Sequence, residues 1–349
     1  MPTIWTYLRA AAVVVGSSAA LLTGGIAHAD PVPTPPVPNI PQQLISSAAN
    51  APQILQNLAT ALGATPPAPQ VTDEDWVSHV TTGRGLYARG DYRRGASAFE
   101  RAQVRARAMD DANALAVAAV NRAQCLLAED QPGEARTAIE EALADPRVSR
   151  DRRMELLAAG ARADWGVGDA PAALARLAEL QAMTPPALLR AQAALLHSEI
   201  QLAQGDAAAA AKALADGPKP NEWQRVPASL RAARAGQQAS IAAVGGDPAA
   251  AVTHWDEAAR LWQQADRLPE MARALAAGAQ QAQAAGDAAG AGERLYRAAR
   301  SLWAQGVQPE AVARLQEGLA IAEQMPDSPL AKKLAALYVT FQAEQRLNK

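Results

Sequence analysis

The feature that most constrains this chain is a dipeptide that keeps returning. Gly-Asp stands at Gly90-Asp91, Gly168-Asp169, Gly205-Asp206, Gly246-Asp247 and Gly286-Asp287, with Asp130-Gln131 in the vacant place; successive markers begin 40, 38, 37, 41 and 40 positions apart. Glycine ends a helix by turning left-handed, and aspartate opens the next by accepting hydrogen bonds from its free N–H groups. Pro132, Pro171 and Pro248 follow markers closely, where the first turn of a helix does not need the missing N–H. A self-similar period of this length is the signature of a repeat array, each unit burying its apolar face against its neighbours.

Aligning the chain on these markers produces columns. Seven residues before each stand Gly83, Ala123, Ala161, Ser198, Ala239 and Ala279, and five after stand Gly95, Ala135, Ala173, Ala210, Ala251 and Ala291, all small. Nine after stand Phe99, Ile139, Leu177, Leu214, Trp255 and Leu295, and twelve after stand Ala102, Ala142, Leu180, Gly217, Ala258 and Ala298. Small side chains let the two helices of a hairpin approach, and one large apolar side chain fills the space beside them. Hydrophobic residues make up 49% of the chain but aromatics only 4%, so the apolar content is chiefly Ala and Leu, the best helix formers. The expectation is an all-α chain. A further pair, from about 309 to 324 and from 328 to 346, continues the spacing with Pro326-Asp327, yet Leu319 and Ala335 stand where small and large residues belong. Failing columns are expected of a terminal repeat.

The stretch Gly83-Arg-Gly-Leu86-Tyr-Ala-Arg-Gly90-Asp91-Tyr92-Arg-Arg-Gly95-Ala-Ser-Ala-Phe99-Glu-Arg-Ala102 resembles the tetratricopeptide repeat nearly position for position. The resemblance runs from Asp73 to about Lys349, with six repeats and a C-terminal capping pair, and its period of about 40 is longer than the usual 34. It implies a right-handed superhelical solenoid of antiparallel helix pairs whose first helices line a concave groove.

The first 29 residues read as a secretory leader: Arg9 precedes an apolar run from Ala10 to Leu22, and Ala27-His28-Ala29 supplies a small-x-small cleavage pattern. Cleavage after Ala29 implies a secreted or cell-envelope protein with no membrane insertion once the leader is gone; an uncleaved anchor is the alternative. Residues 30–72 are a Pro-rich linker, with ten of the 24 prolines between Pro31 and Pro69, and proline forces extended tethers. Within it the uncharged stretch 42–62 carries Leu44, Ile54, Leu55, Leu58 and Leu62 at helical spacing. It either docks on the first repeats near Arg84, Tyr87 and Asn121 or belongs to a stalk.

Chemistry is hard to find. The formal net charge of −2 gives no footprint for nucleic acid or an anionic membrane. His79, His197 and His254 have no partner at ligand spacing, so no metal site is expected. No nucleophile elbow, phosphate loop or dinucleotide fingerprint is present, so neither a catalytic residue nor a cofactor is expected. Cys125, the single cysteine, reads as a small buried hydrophobe. Trp255 with Trp262, and Tyr296 with Trp303, read as core. The acidic pairs Asp110-Asp111 and Glu140-Glu141 read as solvated surface.

Six residues before each marker the column is Arg84, Gln124, Arg162, Glu199, Ser240 and Gln280, all polar. By the resemblance these positions contact an extended peptide, with Tyr87 and Trp165 one turn on and Asn121 and Gln237 one turn back. Asn and Gln would pair with peptide amides, Arg84 and Arg162 would meet carboxylates, and the rings would anchor apolar side chains. The same column also fits a merely solvated face. Val80 and Val120 occupy two places of the family's carboxylate clamp, which argues against a binder of chaperone tails. The expected function is therefore a non-catalytic scaffold for a protein or peptide partner; an accessory that positions polysaccharide or an envelope hydrolase, and an enzyme of unrecognised type, are the alternatives.

Overall fold

The computed structural model describes residues 73–347, so the leader, the linker and the 42–62 stretch lie outside the described residues. Among the described residues there are fifteen helices and no strand. They run as consecutive pairs: α1 (Glu74–Ala88) with α2 (Tyr92–Ala108), α3 (Ala112–Ala128) with α4 (Pro132–Leu143), and α5 (Arg150–Gly166) with α6 (Ala170–Ala182). Next come α7 (Ala187–Ala203) with α8 (Ala207–Ala215), then the four-residue α9 (Pro220–Trp223). The series ends with α10 (Ala228–Val244) and α11 (Pro248–Gln264), α12 (Leu268–Ala284) and α13 (Ala288–Ala304), and α14 (Gln308–Ala322) and α15 (Pro329–Leu347). First helices also meet the first helix of the next pair, α3 on α5, α5 on α7 and α7 on α10. The result is an all-α, tetratricopeptide-like solenoid.

The markers act as their chemistry requires. Gly90, Gly168, Gly205, Gly246 and Gly286 all have φ between 77° and 86°, a region an L side chain rarely enters. The following aspartates accept from the backbone N–H three residues on, Asp206 from Ala209 at 2.8 Å and Asp247 from Ala250 at 2.9 Å. At the vacant marker Asp130 takes the left-handed turn itself, with φ 60°.

The turns between pairs use the same geometry, which the sequence spacing did not reveal. Asp110 (φ 53°), Thr184 (48°), Asp266 (55°) and Gly306 (76°) end the second helices. Asp110 and Asp111 are exposed, as the sequence suggested, and they also build the turn: Asp110 is the left-handed residue, and Asp111 caps α3 by accepting from Asn113 and Ala114 at 2.9 Å. Asp110 also takes both terminal nitrogens of Arg147, at 2.8 and 2.9 Å, and this contact holds its carboxyl below the usual carboxylate range.

The columns are buried. Ala123, Ala161, Ser198 and Ala239 have no exposed surface, and Phe99, Ile139, Leu177, Leu214 and Leu295 are between 0 and 5% exposed. A Cβ on Gly83 would lie 2.7 Å from the Phe99 ring, so the small residue makes room for the large one sixteen positions later. The last pair keeps this rule, contrary to the expectation of failed columns: a Cβ on Gly318 would lie 2.9 Å from Leu334, again sixteen positions on. Leu334 is fully buried while Ala335 is exposed. The turn there is longer than in the other pairs, spanning residues 323–328, and the column positions shift by one.

The fourth pair departs from the others. Its second helix, α8, spans only nine residues, so Gly217 of the column twelve after the marker lies beyond the helix end. The short α9 follows and places Trp223, 3% exposed, into the core around Leu195, Val226 and Leu230.

Charged groups tie each repeat to the next. Arg107 reaches Glu141 at 2.5 Å, Arg294 reaches Asp256 at 2.6 Å and Arg273 reaches Glu310 at 3.1 Å, all roughly one repeat apart. Glu140 meets Arg176 at 3.2 Å. The acidic pair Glu140-Glu141 is exposed, as expected, and its members also take part in this seam.

Candidate functional site

The first helices position the polar column, and the structure divides it into three groups. The middle members join one another. Arg162 on α5 donates to Glu199 on α7 at 2.5 Å, and the Trp165 indole N–H donates to the other oxygen of Glu199 at 2.9 Å. Glu199 is only 9% exposed, so its charge is committed to this seam, and Trp165 spends its polar edge there too.

A second group is turned inward. The Asn121 amide donates to Val117 O at 2.7 Å, one turn back in its own helix. The Ser240 hydroxyl does the same to Gly236 O at 3.1 Å. Gln237 is 1% exposed, and its Oε1 has no hydrogen-bond partner among the described residues. Tyr87 is half-buried and stands edge-on to Tyr92, ring centres 5.2 Å apart. Burial pushes the Tyr87 hydroxyl up in pKa, and Arg267, at the start of α12, is near enough for its charge to act on both tyrosines.

The third group reaches the surface. Arg84 is exposed, Gln124 is half-buried and Gln280 is exposed. Gln280 rims a pocket of about 300 Å³ between α12 and α14, with the exposed Gln283, Glu317, Ala320 and Gln324 also at its edge and the buried Ala279, Leu295 and Ile321 beneath. Amide groups that both donate and accept, above an apolar floor, suit a peptide backbone with an aliphatic side chain. Glu317 is also paired with Arg314 at 2.8 Å, which leaves the rim near neutrality. Gln283, Glu317 and Gln324 were missed by the column reading. The spacing of Gln280 and Gln283, one helical turn apart on the same face, is a signal that finds one of them.

Reactive chemistry is sparse. Among the described residues no group of three or more His, Cys, Asp or Glu could hold a metal ion, and no helix is long and apolar enough to cross a membrane. Cys125 is fully buried beneath α2, where a Cβ on Gly95 would lie 3.0 Å from its sulfur. Burial pushes its thiol up to about 12, so the thiolate that attacks disulfides is almost absent near neutral pH. Ellman's reagent is expected to find no thiol in the folded protein and one per chain in denaturant; prompt reaction of the folded chain would contradict the packing. Trp262 is 6% exposed, and Trp303 stacks on Phe341 with ring centres 3.8 Å apart.

Together these features define a tetratricopeptide-like solenoid with a partly open face of first helices. No protein-family model matches the chain, and no curated protein matches it. Among solved structures it is similar to the TPR2AB-domain:pHSP90-complex of yeast Sti1, with TM-score 0.30, 15% identity, and coverage of 74% of this chain and 98% of that one. At that score the likeness carries no argument about function.

Proposed function

We propose that this protein is an exported, non-catalytic scaffold that holds an extended peptide segment of a partner along its first helices. The observation that supports this best is the pocket between α12 and α14, where Gln280, Gln283 and Gln324 present amides above Leu295 and Ile321. Such a surface offers hydrogen bonds to a backbone and burial to a side chain, and it holds no convergent pair of titratable groups with which to do chemistry. Gln124 and Arg84 carry the same polar column toward the N-terminal repeats. Export rests on the leader pattern ending at Ala29 and places the scaffold in the envelope or outside the cell. Polysaccharide is the weaker fit, because the Trp165 indole N–H is already donated to Glu199.

A photo-crosslinking amino acid at Gln280 tests the reading, with the exposed second-helix residue Arg300 as comparison, in the full chain exposed to envelope extract. Position 280 is expected to capture a discrete protein partner that position 300 does not. Equal labelling from both positions would sink the assignment of this face.

A further inference from the structure

The outer ridge of the second helices changes character in the last pair. Two positions after the large buried residue stand Arg101, Glu141, Glu179, Asp216, Glu257 and Arg297 in the first six pairs, every one charged. Five of them are exposed and Glu257 is half-buried. In the last pair the large residue is Leu334, and the same offset holds Ala336. Three positions further, where the two preceding pairs carry Arg260 and Arg300, stands Val339.

This is the reverse of what an end repeat needs. A terminal helix meets water where an interior one meets its neighbour, so its outer face should be the more polar. On α15 it is the less polar: Val339 is 66% exposed, more than any other large hydrophobic among the described residues, and Tyr338 beside it is 39% exposed. The residues that match Tyr338 in α11 and α13 are Ala259 and Ala299, both buried in the core shared with the following pair. Ala335 and Ala343 are exposed as well, and with Ala336 and Val339 they form one stripe at helical spacing. An apolar face of this kind marks a contact surface.

The charges at its edges identify the occupant. Lys332 and Arg346 flank the stripe, and Asp327 stands in the turn just before α15; all three are exposed. A helix with a basic residue at its far end and an acidic one before its start is complementary to its own reverse. Antiparallel pairing about a two-fold axis between Ala336 and Val339 sets Ala336 on Val339 of the second copy and Lys332 opposite Ala343. It also sets Arg346 opposite Pro329, two residues from Asp327, within reach of a long side chain. An axis at Val339 itself sets Lys332 against Arg346, like charge on like, which disfavours that register. The stretch 42–62 carries no charged residue, so it has no carboxylate to offer either base.

We propose that α15 is a self-association face, on which two copies of this chain pair antiparallel through Ala336 and Val339. Such a contact is self-complementary and closes at two copies. Neither residue lines the pocket at Gln280, so the two assignments are tested separately.

A helix of 19 residues is about 28 Å long. One pair of such helices buries less than a standard interface, so the dimer is weak, with a dissociation constant on the order of 10 to 100 µM. Sedimentation velocity of the full chain across that range is expected to show monomer passing to dimer and stopping there. Ala336→Glu and Val339→Glu, which return a charge to the ridge, are each expected to weaken the dimer about tenfold or more, because the carboxylate finds no partner in the apolar contact. Both positions are exposed in the single chain, so neither variant is expected to lower its melting temperature. Arg346→Glu and Asp327→Arg are each expected to weaken the dimer about fivefold, since two attractive pairs become repulsive. Mixing these two variants in equal amounts is expected to return the parent affinity, because every contact between unlike chains then joins opposite charges.

A chain that stays monomeric across the range, or a dimer indifferent to both Ala336→Glu and Val339→Glu, overturns the proposal. A dimer that forms only once residues 42–62 are deleted overturns it too, and assigns the face to that segment. Mixed variants that associate no better than either alone overturn the antiparallel pairing.

Discussion

Leu177→Ala is expected to destabilise the protein by about 2 to 5 kcal/mol. Leu177 is 2% exposed and packs in a cluster with Met154, Leu157 and Ala161 of α5, Ala173 and Leu180 of α6, and Leu189, Ala193, Leu196 and Ile200 of α7. It thus fills the space where one hairpin meets the next. Three helices held by their own hydrogen bonds cannot close fully on the void, so the loss includes a cavity as well as the transfer of a side chain. Glu140→Ala is the comparison. Its side chain is 54% exposed and meets Arg176 at 3.2 Å, a pair that solvent screens and whose removal is expected to cost under about 0.5 kcal/mol. Urea unfolding of the two variants measures the difference. Equal midpoints would mean that the large-apolar column does not hold the hairpins together.

That column was legible because the physics behind it is local and periodic. A glycine that must turn left-handed, an aspartate that must cap, and a large side chain sixteen positions after a small one all leave marks at fixed offsets. The marks fail where another residue can do the same work. Asp110, Thr184 and Asp266 adopt the left-handed turn without being glycine, so these turns carried no marker. A one-residue shift of the columns in the last pair, whose turn is lengthened to 323–328, was enough to hide Gly318 and Leu334 behind Leu319 and Ala335.

The polar column was legible as a column and not as a site. Arg84, Arg162, Glu199 and Gln280 occupy one sequence offset, yet Arg162 and Glu199 neutralise each other across two repeats while Gln280 stays open. Which outcome a position takes depends on the charge one repeat away, and a single-repeat alignment does not register that. The short α8 was hidden for a related reason: Ala-rich sequence continues to Ala215 with helical spacing, and only the Asp216-Gly217-Pro218 run announces the stop.

Arg176→Met is expected to cost about 3 kcal/mol or more, although arginine is the more exposed partner of its pair. Asp164 on α5 is 1% exposed, and its Oδ2 receives the Arg176 Nε–H at 2.6 Å while Oδ1 has no partner among the described residues. Removing the guanidinium leaves a carboxylate without its counterion in a place water does not reach, and breaking a buried pair from one side typically costs about 3 to 5 kcal/mol. Methionine isolates that effect, because the arginine stem packs over Gly160, where a Cβ would lie 3.1 Å from its Cδ, and an unbranched apolar chain keeps that contact. The reverse change, Asp164→Leu, leaves a cation that is 20% exposed and still has Glu140 at 3.2 Å, so its cost is expected to be smaller, about 1 to 2 kcal/mol. Asp164→Leu combined with Arg176→Met removes both charges and is expected to lie within about 1 kcal/mol of the parent. The double-mutant cycle then returns a coupling of at least about 2 kcal/mol. If Arg176→Met alone costs less than about 1 kcal/mol, or the double variant is no better than the worse single one, the pair is a bystander and the α5–α6 hairpin rests on packing alone.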